Sequence, residues 1–351
     1  MFFENFHIFV VNNKVSMLNS NINQYECAVI GHGSWATALV KVLVSAGCDV
    51  HWYIRNSEVL ASLRTRGRNC KYLQDVRFDK NRINLYDNIN DAVAAASVVV
   101  IAVPSAFLKT FMEPLAVPLT DKLVVSAIKG IIPDEYVTPV EWLISRYGLH
   151  PEQTAIITGP SHAEEVGREN LSYLTAVCRD AERARIVGRM FAADYIHIEH
   201  SSDPEGVEYA AILKNIYAIA VGLAVGLGYG DNFLSVLIAN CAAEMRRFLD
   251  GCFPAGRDTL SSPYLGDLLV TCYSTYSRNR RLGLLIGHGC SVKSALNEMT
   301  MVAEGYYAAE CIRHTPLADN VHTPIADAVY DVLYRNASAR ETIAALTEKL
   351  V

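Results

Sequence analysis

One lysine in this 351-residue chain stands where lysines seldom stand. Residues 208–231, EYAAILKNIYAIAVGLAVGLGYGD, are apolar on nearly every side, yet Lys214 and Asn215 sit together in the first half of that run. A helix that is hydrophobic all round is buried. A buried ammonium needs a partner, a ligand or a water-filled cleft, because an unpaired buried charge is costly. Two readings are open. The stem of Lys214 lies on apolar surface and its head reaches water, or the group does acid–base chemistry with a pKa lowered by its surroundings.

The other residues suited to chemistry each follow a short apolar run. Residues 25–30 (YECAVI) read as a strand, followed at once by Gly31-His32-Gly33-Ser34-Trp35-Ala36, a helical pattern over 37–46 and a second strand over 49–53. Strand, G-x-G-x-x-A, helix and strand form the dinucleotide-binding fingerprint in its required context. Gly31 makes the tight turn, Gly33 lets a pyrophosphate approach the backbone, and Ala36 lets helix and sheet pack closely. The helix N-terminus then offers N–H groups and a positive dipole end to phosphate. The second strand ends in Tyr53-Ile54-Arg55-Asn56, with no acid before Glu58. An acid there would bond a ribose 2′-OH, whereas Arg55 suits a 2′-phosphate, so NADPH is favoured and NADH stays possible. The alternative for Arg55 is a solvated strand-end residue.

Stepping along the chain, residues 91–96 read as helix and 98–103 (VVVIAV) as a fully buried strand ending in Pro104-Ser105. Further strands are expected over 123–127, ending in Lys129-Gly130, over 154–158, ending in Gly159-Pro160-Ser161, and over 174–178 and 195–200, around a helix at 181–192. In an open parallel sheet, ligands bind outside the carboxyl ends of the strands, where Gly31, Arg55, Pro104, Lys129 and Gly159 all fall. After Ser201 no strand is evident. Helices are expected over 207–228, 232–249, 265–275, 292–296, 304–312 and 324–334. The boundary falls at Ser202-Asp203-Pro204-Glu205, a turn and helix-start signal. The expected division is an N-terminal extension (1–24), a dinucleotide-binding α/β domain (25–203) and an all-α substrate-binding domain (204–351).

Composition narrows the class. Hydrophobic residues make up 51% and charged residues 19%, as in a well-packed folded protein. A net charge of -6 argues against nucleic-acid binding. Nine cysteines with no C-x-x-C point to reduced thiols in a cytoplasmic setting, not to disulfides or a zinc site. MFFENFHIFV lacks the basic flank and cleavage site of a signal peptide, and no apolar run spans a bilayer without glycines or the Lys214–Asn215 pair.

Several separate motifs resemble the bacterial NAD(P)-dependent sn-glycerol-3-phosphate dehydrogenase family. They are GHGSWATAL at Gly31, AVPS at Ala102, KGI at Lys129, GPSHAEEV at Gly159, LKNIYAIAVGLAVGLGYGDN at Leu213, GDLLVTC at Gly266, SRNRRLG at Ser277, VAEG at Val302 and PIADAVY at Pro324. The similarity covers nearly everything after Gln24. The chain departs from the pattern at Ala36, where the family usually has Gly, at His162, which replaces an apolar ring, and in the divergent segment 249–266.

The resemblance implies a Rossmann-type domain followed by an all-α domain, and a homodimer whose product feeds glycerophospholipid synthesis. It implies that Ser34 and Trp35 line the pyrophosphate and that Arg55 lies at the adenosine end. Lys129, Gly159 and Ser161 border the space shared by nicotinamide and substrate, with Ala163 on the cofactor. Lys214 is the implied general acid/base, with Asn215, Asp267, Ser277, Arg278 and Asn279 around the substrate, and Arg278, Val302 and Glu304 also reaching the cofactor. Reduction of dihydroxyacetone phosphate turns a carbonyl oxygen into an alkoxide that needs positive charge and then a proton. Lys214 supplies both if burial and a second cation such as Lys129 lower its pKa. Read without the resemblance, SRNRR is equally a solvated basic turn, Asp267 a helix N-cap and Glu304 a solvated helix residue. Adjacent Ser161 and His162 do not make a nucleophilic triad.

Overall fold

The computed structural model describes residues 26–299, 301–318 and 321–351. The expected extension, and Tyr25 at the head of the first expected strand, lie outside the described residues.

Short, fully buried runs such as CAVI and VVVI form the centre of the sheet. Its strands are β1 (Cys27–Ile30), β2 (Val50–Tyr53), β3 (Ile83–Tyr86), β4 (Val98–Ile101), β5 (Leu123–Ser126), β6 (Thr154–Thr158), β7 (Ser172–Cys178) and β8 (Ile196–Ser201). Between them run α1 (Ser34–Ser45), α2 (Ser57–Arg66), α3 (Ile89–Ala94), α4 (Leu108–Met112), α5 (Pro139–Tyr147), α6 (Ala163–Gly167) and α7 (Ala181–Phe191). The spatial order is β3-β2-β1-β4-β5-β6-β7-β8, with β1 through β6 mutually parallel. Helices cover both faces, so CAVI and VVVI are buried on both sides and show no alternation. Chain order reverses between β1 and β4, which opens a crevice at their carboxyl ends.

The sheet is not wholly parallel, against the expectation from sequence. β7 runs antiparallel to β6, and β8 parallel to β7. The β6–β7 connection carries only the five-residue α6 and brings the chain back at the same end of the sheet. Three elements escape the hydrophobic pattern. β3 is an edge strand with Asn84 exposed in its middle, and α2 is a polar surface helix. α5 is marked by its ends instead: Thr138 and Glu141 form a capping box, Pro139 sits at the first position, and Gly148 closes it at φ 63.

The described residues after β8 hold helices and no strand: α8 (Pro204–Gly226), α9 (Asp231–Cys252), α10 (Asp267–Tyr273), α11 (Arg278–Gly287), α12 (Val292–Glu298), α13 (Glu304–His314), α14 (Pro324–Tyr334) and α15 (Ala339–Thr347). α11 and α15 were not singled out from sequence. Every residue from Gly206 to Ala224 of α8 is buried. Among the described residues α8 alone is long and apolar enough to cross a membrane, and 89% of its apolar window lies inside the protein. Its neighbours are α9, α10, α11, α13 and α14. The α8–α11 contact is made backbone to backbone. A Cβ on Gly222 would stand 2.1 Å from the Arg280 carbonyl oxygen, and one on Gly283 would stand 2.1 Å from that of Ile219. Gly226 and Gly287 repeat the approach one turn on. Small residues four apart on both helices allow this closeness, which brings the start of α11 to the middle of α8.

Candidate active site

A cleft of ≈ 590 Å³ lies between the carboxyl ends of the central strands and the helices that follow β8. Its floor is the turn after β1. Gly31 has φ 125, and a Cβ there would stand 2.3 Å from the Ala102 carbonyl oxygen, so the turn admits only glycine. The indole N–H of Trp52 donates to the Gly31 carbonyl at 2.6 Å and holds the turn from below. Gly33 is the N-cap of α1 and gives it no side-chain hydrogen bond, while the space a Cβ on Gly33 would occupy is open. The first N–H groups of α1 therefore have no side-chain partner at the cap, beside open space. That arrangement fits the pyrophosphate of a dinucleotide. Ser34 and Trp35 line the same cleft, and the Trp35 indole is fixed by a 3.1 Å hydrogen bond to the Ala127 carbonyl.

Opposite this turn, Lys214 is buried with Asp267. Its Nζ lies 2.5 Å from Asp267 Oδ1 and donates to Thr271 Oγ1 at 3.1 Å. Lys129 Nζ approaches the other oxygen of Asp267 at 3.2 Å and donates to the Gly159 carbonyl at 2.6 Å. Two lysines thus share one carboxylate. Burial lowers the Lys214 pKa to about 7; Asp267 opposes that shift and Lys129 reinforces it. Burial also works against the Asp267 carboxylate, but Lys129 and Lys214 outweigh it and hold its pKa below the usual value. An ionised aspartate beside an ammonium that titrates near neutrality is suited to moving a proton.

A chain of amides joins three elements here. The Gly305 N–H donates to Asn279 Oδ1 at 2.9 Å, Asn279 Nδ2 to Asn215 Oδ1 at 2.8 Å, and Asn215 Nδ2 to the Lys129 carbonyl at 2.8 Å. Ser277 caps α11 by accepting from the Arg280 N–H. Arg278 enters the cleft, donates to the Val302 carbonyl at 3.3 Å, and has no carboxylate within 4.0 Å among the described residues. Glu304 is half-buried at the mouth of α13. Its carboxylate accepts from the Ser105 N–H at 2.9 Å and from the Ser105 hydroxyl, and burial raises its pKa. It is not a solvated helix residue.

The cleft brings together Gly33, Ser34, Trp35, Lys129, Ser161, Ala163, Lys214, Asn215, Asp267, Ser277, Arg278, Asn279, Val302 and Glu304. Gly31 and Gly159 support it from behind. Arg55 is exposed at the end of β2, its guanidinium 4.0 Å above the Phe111 ring, and is not on the cleft wall. Sequence reasoning missed Thr271, whose i+4 spacing from Asp267 puts both on one face of α10. It gave no role to His162, and it missed the wall residues Tyr72, Tyr276 and Tyr307, which carried no comparable signal.

Comparison with known proteins fits this geometry. Residues 26–184 match the model for the NAD-dependent glycerol-3-phosphate dehydrogenase N-terminus, and residues 203–344 match that for its C-terminus. The chain belongs to the NAD-dependent glycerol-3-phosphate dehydrogenase family. It is 34% identical over 330 residues to a glycerol-3-phosphate dehydrogenase [NAD(P)+] of Limosilactobacillus reuteri, covering 92% of this chain and 97% of that one. A Staphylococcus aureus glycerol-3-phosphate dehydrogenase [NAD(P)+] is 34% identical over 328 residues, with 92% and 98% covered. The crystal structure of glycerol-3-phosphate dehydrogenase from Coxiella burnetii superposes with a TM-score of 0.85 at 26% identity, covering 93% of this chain and 99% of that one. Against this glycerol-3-phosphate dehydrogenase background, the divergent loop of residues 249–266 is well anchored. Arg257 forms a partly buried ion pair with Asp203 at 2.6 Å, and Tyr264 donates to the same carboxylate at 2.6 Å. Asp203 in turn caps α8, so the loop is tied to the helix that carries Lys214.

Proposed function

We propose that this cleft reduces dihydroxyacetone phosphate reversibly to sn-glycerol 3-phosphate with a nicotinamide cofactor, NADPH being preferred to NADH. We assign residues 25–203 to the cofactor and residues 204–351 to the substrate. The observation that carries this reading is the pair of lysines on one buried carboxylate facing the uncapped N-terminus of α1. Gly31, Gly33, Ser34 and Trp35 would hold the pyrophosphate, with Ala163, Val302 and Glu304 along the nicotinamide half. When bound, the cofactor supplies or takes up the hydride.

The protein's own part is to meet the charge that develops on the substrate oxygen. Protonated Lys214 donates to that oxygen in reduction, and neutral Lys214 accepts the hydroxyl proton in oxidation. Asp267 is not orphaned in either state, because Lys129 remains on its second oxygen. Thr271 accepts from Lys214 while donating to the Asp267 carbonyl at 2.6 Å, which fixes the direction of the ammonium. Arg278 at the start of α11, with Asn279 and Ser277 beside it, would receive the phosphate, since a guanidinium with no carboxylate within 4.0 Å among the described residues suits an anionic ligand. The homodimer, the cytoplasmic location and the supply of glycerophospholipid synthesis rest on the family resemblance.

The test is direct. Purified protein mixed with NADPH and dihydroxyacetone phosphate should consume the reduced cofactor's absorbance, whereas unphosphorylated dihydroxyacetone and a 2-keto acid should not. Turnover of the keto acid but not of the phosphorylated ketone would replace this reading with a hydroxy-acid dehydrogenase.

A further inference from the structure

Arg55 is not the only cation near the end of β2. Asn69 is completely buried and uses its whole amide. Its Nδ2 donates to the His32 carbonyl at 3.0 Å and to Thr37 Oγ1 at 2.9 Å. Its Oδ1 accepts from the Lys71 N–H at 3.0 Å and the Tyr72 N–H at 3.2 Å. One side chain thus pins residues 69–72 to the turn after β1 and the first turn of α1. The pinned segment presents Tyr72 to the cleft and Lys71 to the end of β2. Lys71 Nζ lies 2.8 Å from Glu58 Oε2 in the first turn of α2, three residues beyond Arg55.

Glu58 is the first acid after β2, so it is the residue that could receive a ribose 2′-OH. Lys71 occupies it. The same ammonium adds a second cation at the strand end where Arg55, resting on Phe111, supplies the first. An exposed ion pair of this kind is weak and exchangeable, so Lys71 is able to turn from Glu58 to an arriving phosphate.

We propose that Lys71, positioned by Asn69, is a second reader of the cofactor's 2′-phosphate and, by engaging Glu58, disfavours an unphosphorylated ribose. This rests on the NADPH preference stated above and names a further residue that sets it.

The experiment is equilibrium binding to the intact protein, read by quenching of protein fluorescence, with NADPH, NADH, 2′,5′-ADP and 5′-AMP as separate probes. Lys71→Met should weaken NADPH and 2′,5′-ADP by about tenfold while NADH and 5′-AMP change less than about twofold, as loss of one charge-assisted contact requires. The difference should shrink as salt is raised. Glu58→Gln should tighten NADPH, because Lys71 loses its competing partner. Asn69→Ala should shift the NADPH-to-NADH ratio in the direction of Lys71→Met. Lys71 is exposed, so its variant tests the idea even if Asn69→Ala does not fold. If Lys71→Met moves NADPH and NADH equally, or moves neither, Lys71 is a surface ion-pair residue only and the proposal fails. If wild type prefers NADPH and Arg55→Asp abolishes that preference while Lys71→Met does not, Arg55 alone reads the phosphate. A wild type that binds NADH as tightly as NADPH overturns the preference itself and this proposal with it.

Discussion

Replacing Lys214 by Met keeps the length and apolar stem of the side chain and removes its charge. Two effects on stability oppose each other. A fall of the Lys214 pKa from 10.5 to about 7 means that folding disfavours the ammonium by about 4–5 kcal/mol, which Met relieves. Removing one partner of a buried ion pair ordinarily costs about 3–5 kcal/mol, because the other charge is stranded. Here Asp267 keeps Lys129 at 3.2 Å, so that cost is reduced. The variant should therefore fold with stability within about 2 kcal/mol of wild type at neutral pH, or above it. The pH dependence carries a definite sign. Between about 7 and 10.5 the unfolded chain holds a proton on Lys214 that the folded chain has released. Wild-type stability gains from this group as pH rises through that window, and the Met variant lacks the gain. Activity responds differently. NADPH binding should persist, since the turn at Gly31 stands on other elements, but turnover should fall by roughly two to four orders of magnitude with general acid help lost. In wild type, kcat/KM for oxidation should rise, and for reduction fall, as pH passes about 7, and both limbs should vanish in the variant. The assays are cofactor titration, a urea melt and steady-state rates on one preparation. Near-wild-type turnover with intact NADPH binding would show that Lys214 only packs in the core and that the acid–base group is another residue.

Arg278→Ala should lower kcat/KM for dihydroxyacetone phosphate by ~2–5 kcal/mol of transition-state binding, because a desolvated phosphate loses its charged partner; unchanged efficiency in steady-state assays would put the phosphate elsewhere. Gly283→Ala places a methyl 2.1 Å from the Ile219 carbonyl oxygen, so α8 and α11 must separate. It should cost about 3 kcal/mol or more in a thermal melt and lower activity with it, as Arg278 and Asn279 shift away from Lys214. Glu208 is buried, with its pKa raised to about 8 by burial, and accepts from the Val140 N–H at 3.2 Å. Because its folded pKa exceeds the ordinary 4.5, its contribution to stability is full below that pH and is lost as pH rises toward about 8. Glu208→Gln should abolish a loss of order 3 kcal/mol between pH 5 and 8 in urea unfolding; an unchanged slope would mean that Glu208 is ionised throughout.

Much of the architecture could be read from local pattern. The fingerprint at Gly31 was legible because a tight turn, an uncapped helix and two buried strands each impose their own residue types, and all occur within 27 positions. Lys214 was legible because α8 is apolar on all sides, so a single polar pair stands out. The signals failed where structure depends on partners distant in sequence. Nothing in LTAVC or IHIEH states that β7 turns back against β6, because a strand buried on both faces reads the same in either direction. β3, at the edge with Asn84 outward, looks like loop. α11 was hidden because SRNRR resembles a solvated turn until Gly283 and Gly287 are seen to meet Gly222 and Gly226 on α8.

The catalytic arrangement shows the same limit more sharply. Lys129 follows a strand, Lys214 lies mid-helix and Asp267 begins another helix, and each alone has an ordinary structural explanation. Asp267 could have been merely a cap. Its position between two lysines changes what each group can do. With both lysines protonated the cluster carries a net positive charge beside the cleft, which suits an oxygen acquiring negative charge. After Lys214 gives up its proton, Lys129 and Asp267 still form a neutral pair, so no buried charge is stranded in either state. A single lysine–aspartate pair would leave the carboxylate alone once the lysine became neutral, and that penalty would raise the lysine's pKa and hold its proton. Burial is what brings Lys214 to titrate near neutrality, and the second lysine reinforces it by answering Asp267 across 3.2 Å, from a position 138 residues away in the chain.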